Sequence, residues 1–481
     1  MLMSLKLFLT SFILLLSICS WAQIEQDDTK EKGIETKIQG IHESHAAFAV
    51  LDIETGKIVH SHHSDQKMIL ASVSKVFSYF FALNVLGPEY RFETKLYYTG
   101  KIEKGVLKGD LILEGGGDPY LGAPHLLAMA HELKIKGINK VEGKFLVDAS
   151  ALQEIESVST LGLTDQPDNP SISGLNAEFN RYEIWSKKSL VYPPVDNLVI
   201  NRVNRSAYGL RFGFDKIEEN KEYWNQHLRE YIPSIEAIPT KDSALYTGNY
   251  FKLLSERLGV SLPSPEKGRR GKKAKTLYTH KSIPLERLAE LGLEFSNNLM
   301  AESILMTAAK KINTLPQDSK ISARTMVEWY KKKFPEIKWD DIQLINGSGL
   351  TVFNLISAKN MALFMRAIYR EKIGNRSFIS YLSINGHNGG IRRRLNHPQY
   401  AFKLFGKTGS LYFVNNLSGV LIGNSGKMYS YAFFTTHHNH RGILSGDDLK
   451  QKKFLRRKSG EWNNLSTNAM DTLLSTWIEE L

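Results

Sequence analysis

The stretch "ASVSKVFSYFFALNVLG", Ala71 to Gly87, carries two signals that pull apart. Val73, Val76, Phe77, Phe80, Phe81, Leu83, Val85 and Leu86 make it apolar almost all round, as in a helix buried within a core. Gly87-Pro88 stops it, because proline cannot continue a helix. Yet Ser72 and Lys75 stand one turn apart at its head, on one face. Either the lysine is a solvated cap residue, or it serves the serine hydroxyl.

Acyl transfer from a serine needs a base for the hydroxyl, fixed donors for the developing oxyanion and an anchor for the substrate. Ser72 at a helix start has backbone N–H groups unused by the helix, and Lys75 can act as base if burial strips its proton. Two later segments supply the remaining parts. "SNN", Ser296 to Asn298, offers a hydroxyl and an amide two residues apart before an apolar helix; alone it reads as a plain cap. "GKTGS", Gly406 to Ser410, starts from an apolar strand. There Lys407 brings charge, Thr408 and Ser410 hydroxyls, and Gly409 lets another backbone approach.

S-x-x-K, S-x-N and K-T-G in this order resemble the penicilloyl serine transferases. Ser296 lies 224 positions and Lys407 335 positions beyond Ser72. The first gap is similar to that of class C low-molecular-mass penicillin-binding proteins, the D-alanyl-D-alanine carboxypeptidase/endopeptidase family, which carries inserted domains there. "LGPEYRFETKLYYTG", "GDLILEGGGDPYL" (Gly109 to Leu121), "NNLMAESIL" and "NGSGLT" (Asn346 to Thr351) extend the resemblance over most of the chain.

The resemblance implies an α/β fold: a serine transpeptidase/β-lactamase-like domain, an antiparallel sheet flanked by helices, with mainly β inserted domains between the first two motifs. It implies Ser72 as acylated nucleophile, Lys75 as its base, Ser296 as proton relay and Asn298 as ligand of the substrate amide. Lys407, Thr408, Gly409 and Ser410 would hold the terminal carboxylate, and the N–H groups of Ser72 and Ser410 would form the oxyanion hole. The partners implied are peptidoglycan stem peptides and, as covalent inhibitors, β-lactams; no metal or cofactor is implied. Departures are Leu70 where the family has proline, Asn346 where it has an acid, and Val352 where arginine is common. These keep open a wall-binding protein of weak turnover, and a β-lactamase is a third reading.

The remaining chain is consistent with export. "MLMSLKLFLTSFILLLSICSWAQ" has one cation, Lys6, a short apolar run and the small residues Ser20 and Ala22, the pattern of a signal peptide cleaved after Ala22. Cys19, the only cysteine, would leave with it, and Ile18 before it argues against a lipoprotein. A cysteine-free mature chain, with no transmembrane anchor after cleavage, suits a bacterial periplasm. The 62 basic residues against 50 acidic give a net charge of +12. Export and the lack of an aromatic-interleaved basic stripe exclude nucleic acid. "EKGRRGKKAK" (Glu266 to Lys275) reads as a solvated flexible loop.

The organisation expected is thus a signal over 1–22, a first part of the catalytic domain over 23–92, inserted domains over 93–279 and a second part over 280–481. "AAFAVLDIETGKIVHSHH" predicts two strands joined at Glu54-Thr55-Gly56. Ser357 is the expected cap of a helix through "SAKNMALFMRAIYR". "MDTLLSTWIEEL" places Met470, Leu473, Leu474, Trp477, Ile478 and Leu481 on one helical face, expected to pack on a sheet. The histidines at 60, 62 and 63 and at 437, 438 and 440 lack metal-ligand spacing and read as exposed loop residues. Gly115-Gly116-Gly117 reads as a tight turn rather than a phosphate loop.

Overall fold

The two ends of the chain meet in one sheet. The computed structural model describes residues 37–38, 40–160, 166–185, 190–203, 212–227, 235–315, 317–444 and 449–481; the expected signal segment lies outside them. Six antiparallel strands stand in the order Ser383–Ile384, Leu404–Leu411, Val414–Ile422, Met428–Thr436, Ala46–Asp52 and Ile58–His62. The last two are the expected hairpin, closed where Gly56 N donates to Asp52 O over 2.9 Å.

Both faces of this sheet are covered, which explains why its strands read as continuous apolar runs. Successive side chains point to opposite faces. Ala47, Ala49, Leu51, Ala432 and Phe434 join the core of the helices Lys75–Leu86, Leu285–Glu294, Asn298–Ile312, Ser319–Lys333 and Ala358–Tyr369. Ala46, Val50, Tyr429, Tyr431 and Phe433 face the helix Leu449–Glu480, which buries Met470, Leu474, Trp477 and Ile478. The terminal helix therefore packs on the sheet as its apolar face predicts. Ser357 caps its helix, accepting from Asn360 N.

The middle of the chain forms a body with its own core. The chain enters through Glu93–Tyr98 and leaves through Lys275–Lys281, antiparallel neighbours in a five-stranded sheet. That sheet is mixed: Phe145–Asp148 runs parallel to both Leu111–Glu114 and Pro265–Lys267. Parallel strands need a crossover, and the helices Ala123–Ile135 and Ser243–Arg257 provide them. The body is thus richer in strand than helix, but its sheet is packed by helices rather than being all β. No helix among the described residues is long and apolar enough to cross a membrane.

Three local expectations need correction. His60 and His62 lie in the edge strand, and His60 stacks on Trp477 at 5.6 Å; His437 and His440 stack at 3.9 Å. The rings of His60, His62, His437 and His440 are packed rather than loose, while His63 lies exposed in the bend after the strand, as expected. Gly115 to Gly117 is no turn. It is irregular chain laid against Gly174, whose carbonyl would stand 2.2 Å from a Cβ at Gly115. Within the basic stretch, Lys267 pairs with Glu154 and Asp242, and Arg270 with Glu114, so this segment is anchored at both places.

Candidate active site

Ser72 does not open an α-helix. Ala71–Ser74 is one 3-10 turn, and the α-helix starts at Lys75. The turn is locked from outside the element. Asn416 Nδ2 donates to the carbonyls of Ile69 and Leu70 at 2.6 and 3.1 Å, and Asn354 Nδ2 to Ser74 Oγ at 2.9 Å. Ala71 is held at φ 48°, a left-handed value that costs a non-glycine residue strain and tends to be kept at functional sites.

Lys75 is fully buried and surrounded by oxygen. Its Nζ lies 2.9 Å from Ser72 Oγ, 2.7 Å from Asn298 Oδ1 and 2.6 Å from the Ser348 carbonyl. The last two atoms can only accept, so they take two N–H bonds whatever the protonation state. A neutral amine then points its lone pair at the Ser72 hydroxyl, the geometry of a general base. Burial and then the charge of Lys407 hold the Lys75 amine well below the usual lysine range, against the pull of Glu302 and Asp168.

The second motif comes in from a helix start. Asn297 is the cap, accepting from Met300 N, which leaves Ser296 outside the helix at φ 56° and Asn298 as its first residue. Ser296 Oγ accepts from Lys407 Nζ at 2.9 Å. Asn298 spends its oxygen on Lys75 and its Nδ2 on the Asp168 carbonyl at 2.9 Å, tying the inserted body to the site. Lys407 also donates to the Thr408 carbonyl at 2.8 Å, and burial pushes its amine down to about 7.

Gly406 to Ser410 lie inside a strand, as the flanking apolar residues predict. This strand forms a hairpin with Val414–Ile422, closed by the pair Leu411 and Val414 around Tyr412-Phe413. Antiparallel pairs alternate in their bonding. The bonds of Leu411, Gly409 and Lys407 therefore point into the hairpin, and those of Ser410 and Thr408 point outward. On that outer side the short strand Ser383–Ile384 pairs with Gly406 and Phe405 but does not reach Thr408. The N–H of Ser410 thus stands on an open sheet edge beside Ser72. Gly409 permits this contact: a Cβ there would meet Leu70 O at 2.7 Å and Val73 N at 2.9 Å.

A cleft of about 1200 Å³ runs along this edge, lined by Ser72, Ser296, Asn298, Thr408 and Ser410. Its opposite wall comes from the inserted body through Tyr120, Asp168, Phe179 and Arg181. All the residues expected at the site therefore meet at one place, with Gly409 behind them as spacer.

Two contributors escaped the sequence reading. The Ser348 carbonyl comes from "NGSGLT", and buried Glu302 holds that loop by accepting from Ser348 N at 2.7 Å. Burial raises the Glu302 carboxyl. Its signal was present: a lone acid inside "NLMAESILM", one turn from Asn298 on the same face. Asn346 is buried, and its Oδ1 accepts from Gly349 N at 3.0 Å, a task that needs no charge.

The chain matches the D-Ala-D-Ala carboxypeptidase 3 (S13) family over residues 32–188 and 229–452. It belongs to that family. It is similar to D-alanyl-D-alanine carboxypeptidase DacB of Haemophilus influenzae, 25% identical over 471 residues, covering 92% of this chain and 94% of that protein. It is also 24% identical over 431 residues to the D-alanyl-D-alanine carboxypeptidase of Actinomadura sp. (strain R39), covering 82% and 78%. The crystal structure of penicillin binding protein 4 from Haemophilus influenzae shares the fold with a TM-score of 0.71 at 22% identity, covering 88% of this chain and 96% of that one. The S13 match ends at residue 452, so most of the terminal helix over the sheet lies beyond it.

Proposed function

We propose that the protein is an exported serine D,D-peptidase that hydrolyses the D-Ala-D-Ala bond of peptidoglycan stem peptides, and also D-Ala cross-links, through an acyl-serine intermediate. The reading is carried by Lys75: a buried amine with two carbonyl acceptors filled and its third position on Ser72 Oγ at 2.9 Å. Membership of the S13 family supports the same chemistry.

In this mechanism the substrate lies along the open edge of the Leu404–Leu411 strand. Its terminal carboxylate sits at Lys407, Thr408 and Ser410, and the scissile carbonyl points at the N–H groups of Ser72 and Ser410. Lys75 takes the Ser72 proton as Oγ attacks. The tetrahedral adduct expels D-alanine, whose amine receives the proton taken by Lys75, relayed through Ser296, which Lys407 holds at 2.9 Å; Lys75 is then neutral again. Water then cleaves the ester, with its proton passing to Lys75 and on to the departing Oγ.

A relative of the same fold, penicillin binding protein 4 of Haemophilus influenzae, is known in complex with a novel β-lactam. Purified protein is expected to be labelled covalently by a fluorescent penicillin, and Ser72→Ala to abolish the label. Undiminished labelling of that variant overturns the assignment of the nucleophile.

A further inference from the structure

Behind Lys75 lies a second layer of buried polar groups. The helices Lys75–Leu86 and Asn298–Ile312 pack against each other, and polar residues recur on them at one-turn spacing. Lys75 meets Asn298 where both helices start. One turn further come Tyr79 and Glu302, both fully buried. The chain from Gly347 to Gly349 closes this layer. Ser78 Oγ donates to the Gly347 carbonyl at 2.8 Å, Ser348 N to Glu302 Oε1 at 2.7 Å, and Lys75 Nζ to the Ser348 carbonyl at 2.6 Å. The peptide group that accepts from Lys75 is held at its other end, where Gly349 N donates to Asn346 Oδ1 at 3.0 Å.

Holding the loop does not need a carboxylate. A neutral amide oxygen accepts an N–H as well, as Asn346 does from Gly349, yet an ionisable acid fills the buried place under Ser348. Burial disfavours the Glu302 charge, while the Ser348 hydroxyl and the N–H groups of Ser348 and Gly347 favour it. Burial also keeps the neighbouring Tyr79 hydroxyl protonated. Among the described residues, three charged groups act on Lys75. Lys407 disfavours its protonation; Glu302 and Asp168 favour it. Asp168 is exposed, so solvent and salt screen it. Glu302 and Lys75 are both 0% exposed. The buried negative charge acting on Lys75 is thus that of Glu302.

We propose that Glu302 is a positioning residue for acylation of Ser72: through the Ser348 loop it aims the Lys75 amine, and its carboxylate is the counter-charge for the ammonium that forms there. This rests on the serine peptidase reading. As Ser72 Oγ attacks, its proton moves to Lys75 and an oxyanion forms on the substrate. Lys407 is charged while it holds the substrate carboxylate, so the new ammonium arises beside a like charge. Glu302 offsets that repulsion until the proton leaves for the departing amine.

The test follows the second-order rate of acylation by a fluorescent penicillin as a function of pH, where the rising limb reports loss of the Lys75 proton. Glu302→Gln keeps an acceptor for Ser348 N but removes the charge, which leaves Lys75 a weaker base. Its rising limb should move to lower pH by about one unit, and its plateau rate should fall. Glu302→Asp keeps the charge and should leave the limb near its wild-type place. Asn346→Asp puts a negative charge behind the same peptide group and should move the limb the other way, to higher pH. Melting temperatures confirm folding, and Asn346→Asp carries the test where Glu302→Gln does not fold. A plateau lowered with an unmoved limb in Glu302→Gln, or an unmoved limb in Asn346→Asp, overturns the counter-charge. A wild type that penicillin does not label overturns the parent reading, and this role with it.

Discussion

In the proposed mechanism Lys407 holds a carboxylate from a place that disfavours cations. Burial alone pushes its amine down to about 7, so the free enzyme loses the Lys407 charge as pH rises through that value. Lys75 has the opposite requirement. As base it must be neutral, and its amine is held well below the ordinary lysine range by burial and by Lys407. The two demands give kcat/KM a bell-shaped profile, rising as Lys75 deprotonates and falling near pH 7 as Lys407 does, with both limbs belonging to a coupled pair. Bound substrate carboxylate favours the charged Lys407, so the falling limb of kcat should lie at higher pH than that of kcat/KM. Lys407→Arg keeps a permanent charge and is expected to flatten the falling limb, whatever activity it retains. A falling limb unmoved in that variant assigns it to another group.

At the scale of the element, the 3-10 turn that carries Ser72 is shaped by neighbours far away in sequence. Gly349, at φ 78°, packs so closely that a Cβ would stand 1.8 Å from Ala71 O, and Gly409 presses on the turn from the sheet. Gly409→Ala is therefore expected to displace the turn, because the atoms it meets are backbone. Moving Ser72 by even 1 Å from Lys75 costs on the order of a hundredfold in rate. The measurement is the second-order rate of acylation by penicillin, and a wild-type rate in a folded Gly409→Ala protein contradicts the role of this contact. The sequence shows a glycine where a backbone can approach, but Leu70 and Val73 as the approaching residues come from tertiary pairing. The same reason explains the misread first turn. The apolar pattern of "ASVSKVFSYFFALNVLG" marks a helix, while the 3-10 geometry at its head depends on Asn354 and Asn416, outside any local window.

At the scale of the molecule, legibility follows the range of the interactions. The apolar run "AAFAVLD" and the one-sided "MDTLLSTWIEEL" report burial directly, and pattern places both. Parallel pairing in the inserted sheet leaves no such mark on its short strands, and the helices Ala123–Ile135 and Ser243–Arg257 went unread. The terminal helix is the element that seals the outer sheet face. Trp477 is its anchor: nearly fully buried, with ring centroids 5.0 Å from Phe48, 5.9 Å from Phe433 and 5.6 Å from His60. Its removal opens a cavity between helix and sheet that neighbouring rings fill only in part, so Trp477→Ala should cost about 3–5 kcal/mol. In a chain of this size that corresponds to a melting temperature lower by roughly 3–5 °C, while Trp477→Phe should recover much of the loss. Because Ser72, Lys75 and Lys407 lie on the opposite side of the core, the Trp477→Ala protein should still label with penicillin well below its melting point. A melting temperature within about 2 °C of wild type would mean that the helix rests on the surface without sealing the sheet.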